Sequence, residues 1–147
     1  MVLKKNGLAF VMTLCAVFIL SLPVYSKSAL NTLSELEWEN RLVLVKIDDS
    51  DAVLALFNKY REAIDERHII WFVQNHNQLL SNYPGELSKS LKEEISRYTT
   101  ESDLANMILI GKDGYVKSRN NGLNIESIFE QIDQMPMRRY EMQQQAN

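Results

Sequence analysis

The sequence predicts an α/β protein built as a three-layer α/β/α sandwich, with helices covering both faces of one central sheet. Three observations support this prediction. Runs of apolar and β-branched residues at 41–47, 69–73 and 107–110 are typical of strands buried on both faces. Segments with helical spacing of apolar residues separate or follow these runs. A length of 147 residues with 46% hydrophobic residues fits one domain with its own core.

The first two buried strands, with the helix between them, predict a right-handed βαβ unit. Residues 41–47 form the first strand and residues 69–73 the second, and the two should be parallel. Ser50 and Asp51 supply the N-cap of the intervening helix. One apolar stripe of that helix contains Val53, Phe57, Tyr60 and Ile64.

The second half of the chain predicts a loop, a helix, a β-hairpin and a last helix. The loop covers 75–85, and the helix after it places on one face Leu87, Leu91, Ile95 and Tyr98. The hairpin joins 107–110 to 115–119 through an Asp-Gly turn that tolerates positive φ. Asn124 caps the last helix, which carries Ile125, Ile128, Phe129 and Ile132 and stops or kinks at Met135-Pro136.

The flanking segments divide into a leader, a lead-in and a tail. Residues 1–26 predict a secretory signal peptide, because two lysines precede an uncharged apolar run that ends at small residues. The alternative is an uncleaved membrane anchor. Cleavage would place the protein in the periplasm or outside the cell, and it would remove Cys15, the only cysteine. A lead-in at 27–40 then docks by its leucines before the domain at 41–142, and a frayed tail follows at 143–147.

The predicted order of elements is the core topology of the thioredoxin fold, but the redox chemistry of that fold is missing. Redox members carry Cys-x-x-Cys where the first strand meets the first helix, whereas residues 48–53 contain three carboxylates and no cysteine. The expected cis-proline before the third strand is also absent, since 104–107 contains no proline. The sequence therefore excludes thiol–disulfide exchange and predicts no cofactor.

Two groups of polar residues suggest metal binding only weakly. The acidic residues Asp48, Asp49 and Asp51 could hold a hard cation, but helix capping explains them better. His68 and His76 flank the second strand and, in an extended chain, lie more than about 20 Å apart, which is too far for one ion. We therefore predict no metal site.

The remaining aromatic and charge features predict structure rather than chemistry. Trp38 and Trp71 lie beside predicted strands, and we expect both in the core. A net charge of −3 gives no basic face for nucleic acid. The sequence therefore predicts neither a ligand-stacking tryptophan nor a nucleic-acid partner.

The C-terminal segment 132–142 is the most unusual part of the sequence. One interpretation is an arm that packs its methionines on the domain while Asp133 and Glu141 pair with Arg138 and Arg139. The other is a recognition surface, because thioethers adapt to varied apolar partners and paired guanidinium groups suit carboxylate or phosphate. We expect a short further turn at 137–142.

Three segments together resemble a known family. They are Trp38-Glu-Asn-Arg41, Leu109-Ile-Gly-Lys-Asp-Gly114 and Ile132-Asp-Gln-Met-Pro-Met-Arg-Arg-Tyr-Glu-Met142. These residues resemble the DUDES-type domain family, which occurs in exported bacterial proteins and in animal sushi-repeat and coiled-coil-domain-containing matrix proteins. The resemblance spans about 33–142 and implies a thioredoxin-like fold without redox cysteines. It implies an adhesion or matrix module and transfers no catalytic residues.

The leading functional prediction is a non-catalytic module that binds an envelope or extracellular protein, with membrane contact only if the signal is retained. We expect the two arginines of 138–139 at the surface, so that replacing both by alanine would change stability by less than about 1 kcal/mol. The alternatives are a purely structural domain and a cysteine-free enzyme for a small anionic substrate, with Asp48 or Asp51 near Arg41 or Arg138. The predicted binding residues are Arg41, Lys112, Asp113, Asp133, Arg138, Arg139 and Glu141.

Overall fold

The computed structural model describes residues 28–76, 78–100 and 106–146, so the predicted signal peptide at 1–26 lies outside the described residues. The strands are β1 (Arg41–Lys46), β2 (Ile69–Asn75), β3 (Gln78–Ser81), β4 (Met107–Ile110) and β5 (Val116–Asn120). The helices are α1 (Asp51–Lys59), α2 (Arg61–Glu66), α3 (Lys89–Thr100), α4 (Ile125–Asp133) and α5 (Pro136–Gln145), preceded by a 3₁₀ helix at Leu33–Leu36.

The strands form one mixed sheet in the order β3-β2-β1-β4-β5. β1 is parallel to β2, with Arg41 opposite Ile69, and antiparallel to β4, with Leu42 opposite Ile110. The parallel pair confirms the predicted βαβ unit. The central position of β1 explains why its first five residues are all buried.

Helices cover both faces of the sheet, which confirms the predicted α/β sandwich and is consistent with a thioredoxin-like arrangement. On one face, Val43 and Val45 of β1 pack with apolar residues of α1, α2 and α4. On the other face, Leu42 and Leu44 pack with α3 and the lead-in. This alternation follows from the two-residue period of a strand. The lead-in docks as predicted, by the buried side chains of Leu30, Leu33 and Leu36.

Two element predictions differ from the structure. The predicted loop at 75–85 contains the edge strand β3, in which Leu80 lies opposite Val73 of β2. The predicted single helix after β1 is divided at Tyr60, whose backbone (φ −101°, ψ 19°) ends α1 and begins α2. The Tyr60 ring still packs edge-on against Phe129, 5.8 Å between centroids, so the break leaves the apolar stripe in contact with α4.

The prediction that Trp38 lies in the core is wrong, since its side chain is 68% exposed. Its backbone takes a left-handed φ of 66°, a conformation that bulky residues rarely adopt. Its amide N–H donates to the carbonyl oxygen of Lys112 at 2.6 Å, which holds the backbone while the indole faces outward. Trp71 is partly buried as part of the core, with its ring 5.0 Å from that of Phe57.

The C-terminal segment is more helical than the sequence predicts. Pro136 begins α5 as its first residue, where the missing N–H costs nothing and the fixed φ suits a helix. The helix continues to Gln145 instead of making one short turn, and so extends into the predicted tail. Within the described ranges, no helix has both the length and the apolar character needed to cross a bilayer.

Candidate functional site

Three segments that are far apart in the sequence meet at the end of the sheet where β1 begins. Arg41 is the first residue of β1, Lys112 follows β4, and Glu141 lies on α5. Arg41 donates from Nη1 and Nη2 to Glu141 at 3.1 and 3.2 Å, and Lys112 Nζ lies 2.8 Å from Glu141 Oε1. We call this group of charged residues the sheet-end cluster. Its members are Arg41, Glu66, Arg67, His68, Lys112, Asp133, Arg138 and Glu141.

Glu141 joins α5 to the sheet by accepting from two buried cations. Arg41 is only 1% exposed and Lys112 8% exposed. Burial raises the pKa of Glu141, but hydrogen bonds from Lys112 and Arg41 outweigh that effect, so the pKa lies below its usual 4.5. The carboxylate is therefore ionised at neutral pH and balances part of the charge of the two cations.

Arg138 is the second buried anchor of α5, also 1% exposed. Its Nε donates to Asp133 Oδ1 at 3.2 Å, and its Nη1 donates to the carbonyl oxygen of Glu66 at 3.1 Å. Its Nη2 pairs closely with the carboxylate of Glu66. Burial disfavours the charged guanidinium, but the bonds to Glu66 and Asp133 prevail and raise the pKa of Arg138.

Arg67 completes the cluster from the end of α2. Its Nε and Nη2 donate to the two oxygens of Asp133 at 3.0 and 2.6 Å, which is the bidentate geometry of a strong guanidinium–carboxylate pair. Burial raises the pKa of Asp133, yet the bonds from Arg67 and Arg138 hold it below its usual 3.8. Glu66 and Arg67 are not among the binding residues that the sequence predicts. Their position just before β2, the strand parallel to β1, was the available signal.

His68 adds a neutral imidazole beside Lys112. Its Nδ1 lies 2.9 Å from Lys112 Nζ, and its backbone has a left-handed φ of 51°. Burial and the charge of Lys112 both lower the pKa of His68. Because the neighbouring group is a cation, the Nδ1 atom acts as an acceptor from the lysine ammonium.

A cleft of about 490 Å³ opens between the β4–β5 turn and the start of α5. The charged residues at this cleft include Lys117, whose Nζ lies 2.6 Å from Asp113 Oδ2. Arg41 also lines it, and Arg41 Nε is the one buried side-chain nitrogen or oxygen, among the residues described, that has no hydrogen-bond partner. The full lining consists of Arg41, Gly111, Lys112, Asp113, Lys117, Gln131, Gln134, Met135, Pro136 and Met137.

The structure brings together five of the seven predicted binding residues, and these are Arg41, Lys112, Asp133, Arg138 and Glu141. Asp113 lines the cleft but pairs with Lys117. Arg139 is exposed, and its side chain forms no ion pair with a described residue. The expectation that both arginines lie at the surface is therefore wrong for Arg138, which is buried because carboxylates from two other elements neutralise it.

The acidic loop lies at the opposite end of the sheet from this cluster. Asp48 follows the six-residue strand that starts at Arg41, so at about 3.3 Å per residue the two are about 20 Å apart. This separation contradicts the alternative in which Asp48 or Asp51 shares a pocket with Arg41 or Arg138. Asp49 instead accepts from the Asp51 backbone N–H at 3.0 Å, just before α1. The predicted N-cap side chain, that of Ser50, makes no capping bond and accepts from Asn75 Nδ2 instead.

The part of the chain that the structure describes contains no group of three histidine or carboxylate side chains placed to hold a metal ion. It also contains no cysteine, since the only one is Cys15. The fold and the cluster thus define an α/β-sandwich domain whose last helix is fastened to the sheet by buried ion pairs.

Comparison with known proteins identifies the family. The family model described as a domain of unknown function (DUF4174) matches residues 32–141, and the chain belongs to this family. Searches of curated proteins and of solved structures found no match. The matched range includes all residues of the sheet-end cluster.

Proposed function

We propose that the chain is exported and serves as a non-redox interaction module of the cell envelope, which binds a partner protein at the surface around the sheet-end cluster. One observation supports this most strongly. In the described ranges, every exposed large hydrophobic residue lies on or directly beside the three converging segments. These residues are Trp38, Tyr115, Val116, Met137 and Tyr140.

The residue types of this surface are those that dominate protein–protein interfaces. Tryptophan, tyrosine, methionine and arginine are enriched in interface cores, and large aromatic anchors supply most of the binding free energy. Tyr115 is 71% exposed at the β4–β5 turn. The same turn contains Lys112, whose carbonyl oxygen accepts from the Trp38 backbone N–H. Single exposed hydrophobic residues are ordinary, but their confinement to one end of the molecule favours a contact surface.

The backbone of Trp38 supports the same proposal. A left-handed φ of 66° in a bulky residue costs on the order of 1 kcal/mol, and such strain persists where the surrounding structure enforces it. The bond from Trp38 N–H to Lys112 oxygen enforces it here. The indole is therefore presented to solvent on a fixed backbone, which lowers the entropic cost of binding.

The buried ion pairs of the cluster are well suited to fix the geometry of such a surface. Replacing buried ion pairs by packed apolar side chains is often neutral for stability, so a buried network is better explained by the structure it specifies. Here Arg41–Glu141 and Arg138–Asp133 hold α5, with Met137, against the start of β1. The surface would lose its shape without them.

The charge states in the cluster argue against a catalytic alternative. A general acid or base works best with a pKa near the operating pH. The pKa values of the cluster carboxylates Asp133 and Glu141 are instead lowered, as is that of Asp113 in the cleft. Each of them is held as an ionised partner of a cation, which is a structural arrangement.

The DUDES-type resemblance belongs to this proposal as well. It is carried by the segments 38–41, 109–114 and 132–142, which contain Trp38, Lys112 and Glu141 of the site described above. In animal matrix proteins that family resembles an adhesion module, and an envelope-facing binding role is the bacterial counterpart. A thioredoxin-like fold used without its thiol chemistry would leave the helices and turns free for recognition.

The test is site-specific photo-crosslinking in the native cells. A photoreactive amino acid at Tyr115 should yield a discrete protein adduct, and the Trp38→Ala change should reduce that adduct strongly. The matched control places the same amino acid at Lys89 on α3, whose side chain is 92% exposed on the other side of the sheet. Equal crosslinking from both positions would contradict the proposed surface. So would a Tyr115 adduct whose yield is unchanged by the Trp38→Ala substitution.

Export is tested separately by cell fractionation and N-terminal sequencing. The mature protein should be found outside the cytoplasm and begin at residue 27, after loss of the predicted signal peptide. A cytoplasmic protein with an intact N-terminus would refute export while leaving the crosslinking result interpretable.

A further inference from the structure

We infer that the cleft between the β4–β5 turn and α5 binds a carboxylate attached to an apolar chain. The inference deepens the proposed function and rests on it for the source of the ligand, since a partner protein can present this chemistry at its carboxyl terminus. A free aliphatic acid presents the same chemistry, and the experiment below separates the two sources.

The charge of the cleft favours an anion. Three cationic side chains line it, those of Arg41, Lys112 and Lys117, against one carboxylate, that of Asp113. Glu141 lies behind Arg41 and Lys112 and pairs with both, so one positive charge remains when it is included. The first turn of α5, at Pro136, also lines the cleft, and the positive end of a helix dipole favours an anion nearby.

A buried donor without an acceptor points to a missing ligand oxygen. Arg41 is 1% exposed, and its two terminal nitrogens donate to Glu141, with a further bond to the carbonyl oxygen of Arg67 at 2.9 Å. Its Nε has no partner among the described residues, although it is buried. Buried donors are rarely left unpaired in native proteins, and a ligand oxygen would satisfy this atom once the side chains that cover it moved aside.

The opposite wall of the cleft is apolar. Met135, Pro136 and Met137 form it, and methionine side chains adapt to apolar groups of different shape. The volume of about 490 Å³ lies in the range of small-molecule sites and suits one or two amino-acid residues with a terminal carboxylate. An aliphatic chain against the methionines would place its carboxylate toward the cations.

Asp113 acts as an internal competitor for the ligand. Its carboxylate pairs with Lys117, and its Oδ1 also accepts from the Tyr115 backbone N–H at 3.2 Å. A ligand carboxylate would replace Asp113 beside Lys117. The Asp113→Asn change removes the competing charge while keeping an oxygen for the Tyr115 N–H, so it should strengthen binding.

The experiment is a titration of the ¹⁵N-labelled mature protein followed by NMR. The probes are hexanoate and hexanol, and a tripeptide ending in leucine as the free acid and as the C-terminal amide. Each acid should bind at least about tenfold more tightly than its neutral counterpart, because the counterpart lacks the charge-assisted bonds. The Arg41 Nε–H resonance should shift with the acids and stay in place with the neutral probes.

Variants connect the binding to the cleft. Lys117→Met should weaken both acids by about fivefold, and Asp113→Asn should tighten them by about threefold. The matched control is Lys89→Met on α3, which changes the net charge of the protein as much as Lys117→Met does. It should leave binding unchanged. These opposite shifts separate a site in the cleft from a general effect of protein charge.

Each result decides something. Binding of the peptide acid at least about tenfold more tightly than hexanoate would identify a protein carboxyl terminus as the ligand, and equal or reversed affinities would identify a free acid. Equal binding of acids and neutral probes, or no binding of either acid, would overturn the inference. If neither acid binds but the Tyr115 crosslink still forms, the inference fails and the proposed function stands. If the acids bind but no crosslink forms, the proposed function fails and carboxylate binding in the cleft stands.

Discussion

Both ends of the central sheet carry charged residues, but the two ends use them in opposite ways. At the end where β1 finishes, the Asp48 side chain is almost fully exposed, and its carboxylate lies 3.7 Å from Nδ1 of the exposed His76. At the end where β1 starts, Arg41 and Arg138 are each 1% exposed and each contacts more than one partner. The first set of charges is solvated, and the second is part of the interior.

This difference shows that burial, rather than the density of charge in the sequence, indicates where charged residues organise the structure. The acidic loop is the denser cluster in the sequence, yet in the structure Asp49 accepts one backbone N–H at the start of α1 and Asp48 is solvated. The sheet-end cluster is dispersed over 41–141 and becomes visible only when β1, β2 and α5 are placed side by side. Exposed pairs contribute little to stability, whereas breaking a buried pair is costly.

The largest expected effect on stability is the difference between substitutions at the two adjacent arginines, Arg138 and Arg139. Arg138→Met should lower the free energy of unfolding by about 3 kcal/mol, because it removes the buried guanidinium bound to Glu66 and Asp133 and leaves Arg67 as the remaining cation for both carboxylates. Arg139→Met, at the exposed neighbour, should change it by less than about 0.5 kcal/mol. Urea denaturation of both variants measures the difference. Similar losses in the two would show that the buried network does not distinguish them.

A smaller effect is the loss of folding stability at low pH. Because the folded-state pKa of Glu141 is lowered from 4.5 and that of Asp133 from 3.8, their stabilisation is complete above those values. It is lost as pH falls through the lower folded-state values. The protein should therefore lose stability below about pH 4.5. Glu141→Gln should flatten this decline, and Asp48→Asn should retain the wild-type profile, as measured by denaturation at a series of pH values.

The smallest effect compares the two tryptophans. Trp71→Ala should cost about 2 kcal/mol, because it removes a partly buried ring that packs on Phe57. Trp38→Gly should leave stability within about 0.5 kcal/mol, since relief of the left-handed backbone offsets the flexibility of glycine. Thermal or urea unfolding compares them. A large loss from Trp38→Gly would mean that the indole stabilises the fold and is not reserved for a partner.

Much of the fold could be predicted because its signals are local. The buried strands β1, β2 and β4 are continuous apolar runs, and Asn124 accepts from the Ser127 backbone N–H as its N-cap position predicts. Gly114 has φ 76°, the conformation that the Asp-Gly turn requires. The edge strand β3 could not be predicted, because it is short, only half-buried and enclosed by turn-forming residues.

The site could be predicted only in part because its decisive contacts are not local. The residues of 132–142 stand out in sequence, but the burial of Arg138 depends on Glu66 of α2, which lies 72 residues earlier. Trp38 precedes an apolar strand, which favours burial, but its backbone is left-handed and bonded to the Lys112 oxygen, and its side chain is 68% exposed. Glu66 and Arg67 are marked in the sequence by nothing beyond their position just before β2.

The bond between Arg41 and Glu141 joins residues that are 100 positions apart. Arg41 opens the central strand of the sheet, but its carboxylate partner lies on α5, so the start of that strand is completed only when the C-terminal helix docks. A protease that cut the short link between α4 and α5 would spare every strand pairing while detaching the last helix. Such cleavage would leave Arg41 and Lys112 without the carboxylate that pairs with both.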